Sequence, residues 1–546
     1  MSGLLVATVA LPLLALLVIL LLRLTPSTAA RVAIGATGAA FVAALVILVV
    51  TAIDGPTSAV VTDGDGRAIF GFAADRVGGV LIVLTTFVGL IAQSFASRAL
   101  LGDPRARRFH VLALALTAAT TSVAIAATGS GLVVAWVATS LALVALVGHR
   151  APWSPAVAAR RRTGWSFAIG DLALVAAVVI TIVTVGDIDL RTASTAAAAL
   201  DAERIAGVNV LTIVAVLLVV AGAARSALIP IHRWLPSTLA APTPVSALLH
   251  AGVVNGAGVL LIRCAPIFGS SVTAMTLAFV LGLSTALIAT AVMLVRTDVK
   301  GALVWSTSGQ MGFMVLQLGV GAFAAALFHI VGHALYKATM FLGAGGAISA
   351  HLRQGGRPHL GRSSAPTLRS TPLRLLVGLV VPLGAFALAL FVIDPHLSAA
   401  ATILIVVFGS LSIGRAANGW MSSSPFAAAT SISTAVLGVF AGAFGYVAGV
   451  AVFEHFVAGV VPDDVPAAVG PLWVALSLAV LALGVAIIAL PRGPRGDELR
   501  RRVYVWLLST GAAEPLDPVR RDAAPASIRQ PAAARTAALI TVGEPA

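Results

Sequence analysis

The sequence predicts an all-α polytopic membrane protein, and three observations carry that prediction. Of 546 residues, 59% are hydrophobic and only 10% are charged, whereas soluble domains run nearer a quarter charged. The chain therefore has too little polar surface to face water on all sides, as its mean hydropathy of +1.03 also indicates. Apolar stretches of about 20 residues, the length that crosses ~30 Å of hydrocarbon, recur from end to end. A single cysteine, Cys264, excludes an intrachain disulfide and a cysteine-based metal or cluster site.

Spans are predicted at 4–24, 30–53, 77–97, 109–127, 131–148, 166–186, 207–230, 243–263, 272–295, 299–317, 320–349, 372–393, 398–415, 426–452 and 470–490, so the fold should hold about 13–15 transmembrane helices. The first lacks a basic n-region and an Ala-x-Ala site and is long enough to span, so it reads as a helix rather than a cleaved signal. The loops between spans alternate in charge. Arg98, Arg105, Arg107 and Arg108 share one; Arg150 and Arg160 to Arg162 share another; Arg353, Arg357, Arg362 and Arg369 share a third. The intervening loops carry Asp54, Asp63 and Asp65, then Asp187, Asp189, Asp201 and Glu203, and later Glu454, Asp463 and Asp464.

Basic loops stay on the cytoplasmic side of a membrane. That places the chain in the cell's inner (plasma) membrane, with the N-terminus outside and the C-terminus, with Arg500 to Arg502, inside. The net charge of +14 is thus a matter of topology. No loop pairs a basic cluster with interleaved aromatics, so a nucleic-acid partner is not expected; the lipid bilayer is the expected partner of the apolar faces. The chain divides into N-terminal helices (1–108), a core (109–416), C-terminal helices (417–490) and a basic tail (491–546), of which 497–508 should lie as an amphipathic helix on the inner leaflet. The tail beyond about Ala512 reads as disordered.

Ionisable groups inside spans are costly and usually face a bundle interior or a wet path. Here they concentrate between Arg225 and Lys337. The segment from Arg225 to Pro236 meets Pro230 and Pro236, and Pro242 and Pro244 follow; proline breaks the backbone ladder, and a broken helix at membrane depth survives only where it lines a cavity or is buried in protein. An ordinary cytoplasmic loop with turn prolines is the alternative. The next span carries His250, flanked by Ser246 and Asn255; it suits proton passage or simple packing. His329, His333 and Lys337 follow at i, i+4 and i+8, on one helix face, a polar ladder about 12 Å long. Buried lysines give up protons more readily than hydrated ones, so the ladder suits proton relay. His at i and i+4 also suits zinc, but no acid accompanies the pair and no His-Glu-x-x-His pattern exists, so no metal is expected. A purely structural polar cluster is the remaining alternative. Ser306, Thr307 and Gln310 add polar groups on the preceding span. Only Lys300 and Lys337 are lysines among 35 basic side chains.

Three stretches carry a family resemblance: Ala241 to His250 (Ala-Pro-Thr-Pro-Val-Ser-Ala-Leu-Leu-His) after Arg225, Arg296 to Gly301 through Trp305 to Phe313, and His329 to Lys337. They resemble the proton-channel core of the antiporter-like subunits of NADH–quinone oxidoreductase and Mrp sodium/proton antiporters, and the similarity runs from about Asp75 to Gly346. It implies two inverted five-helix repeats, each with a broken helix, and a proton path through Arg225, His250, His329, His333 and Lys337. Asp75 and Asp171, near the predicted span ends, match family positions; Asp171 joins Ser246, Ser306, Thr307 and Gln310 as a supporting polar residue, and the alternative for both is that they simply fix helix ends.

Within that superfamily, His232 to Pro236, His250 to Asn255 and Gln310 to Gln317 are most similar to the membrane subunit of the DAB-type inorganic-carbon transporter. The resemblance implies a transport subunit with no cofactor of its own, and a peripheral zinc protein similar to carbonic anhydrases as partner. His232 and Trp234 would face that partner at the cytoplasmic mouth. Two departures set the chain apart from respiratory subunits: Trp136-Val137 stands where they place a glutamate after tryptophan, and Arg225 where they place a lysine. Arginine stays protonated in proteins, so Arg225 would act as an electrostatic gate. The alternative is a proton-pumping subunit of a respiratory, hydrogenase-type or Mrp complex.

Overall fold

The structure is a computed structural model that describes residues 1–64, 66, 68–150, 153–353, 373, 375–423, 428–461, 470 and 494–511. Among them, 12 helices are long and apolar enough to cross a membrane. Two helices, α1 (Ser2–Leu21) and α2 (Pro26–Ile53), precede a β-hairpin of β1 (Thr57–Thr62) and β2 (Ala68–Ala74). Then come α3 (Arg76–Ala99), α4 (Ala106–Ile125), α5 (Gly129–Val147) and α6 (Ser154–Val185), a short α7 (Ala193–Ala202), and α8 (Val210–Arg225). After an irregular stretch holding α9 (Trp234–Ser237), the chain continues through α10 (Thr243–Ala251), α11 (Gly256–Arg263), α12 (Ala265–Gly269), α13 (Val272–Val295), α14 (Val299–Gly319) and α15 (Phe323–Arg353). A π-turn at Leu376–Val380 leads into α16 (Val381–Ile393), followed by α17 (Ala399–Ser423), α18 (Ala428–Val457) and α19 (Pro494–Gly511). The predicted span 470–490 lies outside the described residues beyond 470, as does most of the basic loop 353–369; every other predicted span falls largely on helix.

The helices start where the sequence supplies a cap. Thr25, Asp75, Thr128, Asn209, Ser271 and Asp298 each accept a bond from the backbone N–H three residues on, satisfying a donor the helix leaves free. Close packing follows small residues. A Cβ on Gly282 of α13 would meet the Leu316 backbone of α14, 2.5 Å from its nitrogen, and a Cβ on Gly319 would meet the Phe279 nitrogen at 2.6 Å, so these backbones approach as only glycine permits.

Two of the apolar helices are irregular: α8 stops at Arg225, and α16 is preceded by the π-turn.

The acidic loops are tied together rather than free. Asp187 accepts from the Ser130 hydroxyl at 2.6 Å, at the start of α5. Asp189 takes the Ala68 amide of the hairpin at 3.3 Å and pairs with Arg191, whose guanidinium reaches on to the Gly66 carbonyl. On the other side, the predicted amphipathic helix is present as α19. Its Leu507 is buried against Val292 and Trp305, Arg296 donates to the Gly511 carbonyl, and Tyr504, Val505 and Trp506 stay exposed.

Candidate functional site

The prolines after Arg225 do what the sequence leads one to expect, although α8 ends before the first of them. The chain from Ser226 to Ala241 is irregular and largely buried, and protein groups satisfy its backbone, the condition for non-helical chain at membrane depth. The Ile229 amide donates to Thr285, and the Ala227 carbonyl accepts from Ser308. The Leu239 and Ala241 carbonyls accept from Lys300 Nζ at 2.8 and 3.1 Å. The span 243–263, read as continuous, is a second break: α10 stops at Gly252 and α11 resumes at Gly256. Ser226 bridges this gap, donating to the Val254 carbonyl and accepting from the Ala257 amide. The signal was Gly252-Val-Val-Asn-Gly256, two glycines flanking an asparagine within about one turn.

The ladder is assembled along one face of α15. His329 is half-buried and tilts against Phe313. Its ring centroid lies 6.0 Å from that of His333, which is buried and bonds through Nδ1 to Asn255 Oδ1 at 3.1 Å. Lys337, 0% exposed, reaches α14, donating to Ser306 Oγ at 2.5 Å and to the Leu303 carbonyl at 3.3 Å. One turn further, Phe341 stacks on His250 at 4.2 Å and 10°. His250 therefore sits at the end of the ladder nearer the basic loops, while Asn255 of the same span holds its middle. From Leu303 it is one turn to Lys300, which the sequence reading passed over; the scarcity of lysines was the available signal.

The supporting polar residues divide. Ser306 donates to the Leu303 carbonyl of its own helix at 2.8 Å and also accepts from Lys337. Thr307 bonds back to the Leu303 carbonyl of its own helix and Ser246 to the Pro242 carbonyl, so both serve their own turns. Gln310 Oε1 is buried without a hydrogen-bond partner.

Arg225 forms a separate centre. It is 2% exposed and donates to Asp171 Oδ1 (3.1 Å), Ser140 Oγ (2.6 Å) and the Trp136 carbonyl (3.1 Å), between the rings of Trp136 and Phe167 at 4.1 and 4.6 Å. Asp171 is not at a helix end, because α6 begins at Ser154 and runs through Arg160 to Arg162, which places Asp171 near its middle. The carboxylate missing after Trp136 is thus supplied from the neighbouring helix, and Ser140 bonds it as well at 2.9 Å. Asp75, by contrast, is a helix-end residue, capping α3 through Gly78 N at 2.7 Å.

The expectation that His232 and Trp234 face a partner is corrected. Trp234 is 0% exposed, its indole N–H closing on the Ala224 carbonyl at the end of α8 and its ring against Phe167. His232 is buried against Trp305. Both fill the space the broken helix opens. Among the described residues, no three His, Cys, Asp or Glu side chains converge as metal ligands would.

The fold is similar to that of antiporter-like membrane subunits, a likeness that comparisons with known proteins make specific. Residues 130–358 match the family described as NADH:quinone oxidoreductase/Mrp antiporter, TM. The Mrp complex of Dietzia sp. shares the fold, with a TM-score of 0.55 over 96% of this chain and 57% of that one at 22% identity. Over residues 130–358, less than half its length, the chain is thus similar to the antiporter-like subunits of NADH–quinone oxidoreductase and Mrp complexes.

The chain is similar to the probable inorganic carbon transporter subunit DabB1 of Halothiobacillus neapolitanus, 36% identical over 331 residues, 59% of each chain. It is similar also to the probable inorganic carbon transporter subunit DabB of Bacillus anthracis, 33% identical over 292 residues, 53% of this chain and 56% of that one. The matches thus span little more than half the length of these relatives.

Proposed function

We propose that the chain is the proton-conducting membrane subunit of an inorganic-carbon accumulation complex in the cell membrane, with its N-terminus outside and its C-terminus in the cytoplasm. Proton flow through it drives a peripheral, zinc-containing, carbonic-anhydrase-like partner that handles CO2 or bicarbonate. The zinc belongs to that partner, and this chain is a transport subunit rather than an enzyme.

One observation carries the proton part of the reading. A run of titratable and hydroxyl groups, His329, His333, Lys337, Ser306 and, past the Leu303 carbonyl, Lys300, extends along α15 and α14 from the acidic-loop half toward the basic-loop end. Among the described residues, Lys337 donates to a hydroxyl and a carbonyl and to no carboxylate. Its ammonium is therefore not locked by an opposite charge and can hand a proton to a neighbouring water or imidazole. Likeness to the inorganic-carbon subunits supports the choice of cargo.

The test is growth of a cell lacking carbonic anhydrase, expressing this chain with its neighbouring gene. Rescue at ambient CO2 that Lys337→Ala and His333→Ala abolish, with insertion unchanged, is the expected result. Rescue that tolerates both substitutions places the path elsewhere. No rescue by the intact, well-inserted pair turns the reading toward a redox-coupled complex.

A further inference from the structure

Two cavities follow one another along a single pair of helices. The larger, of about 860 Å³, opens on the acidic-loop side between the hairpin, α7 and α12. Asp75 and Arg263 line it. Arg263 is 9% exposed; it donates to the Ala126 carbonyl at 2.7 Å, its Nη1 stands 3.6 Å from Asp75 Oδ2, and its Nε has no hydrogen-bond partner. The smaller cavity, about 50 Å³, lies deeper and is walled by Thr85, Thr120, Thr139, Trp136, Arg225 and Gly252, among others.

The order of the walls fixes how the two are related. On α3, Val77 lines the outer cavity and Leu81 the inner; on α11, Ile262 lines the outer and Val259 the inner. Both steps are about one helical turn, roughly 5 Å. The inner cavity also touches Gly252, Val253 and Gly256, which surround Asn255, the residue that holds His333. Threonine hydroxyls along its wall donate to carbonyls of their own helices, Thr85 to Ile82, Thr120 to Leu116 and Thr139 to Ala135. Their lone pairs remain available to accept from water, and the space holds at least one water molecule, which needs about 10–15 Å³.

We propose that the outer cavity is the water-filled port through which the ladder exchanges protons with the acidic-loop side, that the Asp75–Arg263 pair lines this port, and that the single turn of wall between Val77 and Leu81 and between Ile262 and Val259 separates it from the inner cavity. The proposal rests on the proton-path reading above and adds where that path meets water. A proton entering the port meets the Asp75 carboxylate on its wall, crosses the one turn between Val77 and Leu81 to the inner water, and arrives at the break beside Asn255 and His333.

The single cysteine makes the port testable in the full chain. In a Cys264→Ala background, Ser194→Cys and Ser270→Cys place thiols on the cavity wall, and Thr62→Cys places one on the exposed hairpin outside it. Membrane vesicles are treated with a charged, impermeant methanethiosulfonate, and proton flux driven by a pH gradient is followed with a fluorescent dye. The expected result is reaction at all three positions, with a several-fold fall in flux for the two wall positions only. Wall thiols that react without changing flux, or that fail to react while Thr62→Cys does, overturn the port. Lys337→Ala in the same vesicles separates the two readings: flux lost there but insensitive to wall modification removes the port alone, whereas flux that survives Lys337→Ala removes the ladder beneath it.

Discussion

Lys337 and Arg225 are both buried cations in the same membrane domain, and their surroundings give them opposite chemistry. Arg225 is held by a carboxylate, a hydroxyl and a carbonyl and lies between two aromatic rings. Each of those groups favours the charged form, and a guanidinium scarcely releases its proton in any case. Among the described residues, Lys337 donates to a hydroxyl and a carbonyl and lies 5.7 Å from the Tyr336 ring, with no carboxylate as hydrogen-bond partner. The first arrangement favours a fixed charge; on the proposed function, the second leaves a proton that can move. The difference lies in the partners as much as in the residue type: a carboxylate beside Lys337 would pin it, and the loss of Asp171 would leave Arg225 an uncompensated charge.

The sharpest way to break this comparison is to exchange the cations. Lys337→Arg keeps the charge and most of the length but removes the ability to release a proton. Proton flux should fall by about 10²–10⁴-fold, the usual contribution of one positioned proton-transfer group, with the protein still inserted. Flux near the parent level in dye-monitored vesicles would make Lys337 a fixed charge like Arg225 and erase the distinction.

At the other centre the expected loss is one of stability first. Arg225→Ala leaves the half-buried Asp171 without its partner, which should cost a part of the about 3–5 kcal/mol typical of a fully buried pair, and should lower the thermal midpoint of the detergent-solubilised protein. Pairing Arg225→Ala with Asp171→Asn should restore part of that loss, since the double change removes both charges. A double variant no better than Arg225→Ala would show that the packing of the guanidinium between Trp136 and Phe167, rather than the ion pair, is what matters.

The two centres differ in how far the sequence reveals them, and the reason is physical. The ladder lies within one helix, so its spacing of four alone places His329, His333 and Lys337 on a common face. The Arg225 centre draws on three helices, and no periodicity connects Ser140, Asp171 and Arg225. Asp171 reads as a helix end because Arg160 to Arg162 resemble a loop; the helix runs through them, with charge at its end outside the hydrocarbon. Helix positions are legible throughout the described residues because hydropathy reports them directly. The break at Gly252 is not, because its flanking residues are as apolar as those of a continuous span. His232 and Trp234 mislead for a related reason: a polar ring beside prolines reads as surface, whereas the unwound chain leaves a space that these rings fill.

The smallest effect is expected on the acidic-loop side, away from both centres. Burial would raise the Asp189 carboxyl, but the Arg191 side chain and the backbone N–H groups of Arg191 and Ala68 outweigh it and hold the group below its usual range. A carboxyl held low stabilises the fold fully above its unfolded value of about 4, and that contribution is lost as pH falls through the lower folded value. The hairpin should therefore loosen from the loop at 187–191 under acid conditions, seen as faster hydrogen exchange at Ala68 and its neighbours. Asp189→Asn should show faster exchange already at neutral pH and little further change on acidification, with proton flux unaltered. Exchange in the parent protein that is independent of pH would mean that backbone pairing in the hairpin and at Thr128–Asp189, rather than the carboxylate, holds these loops together.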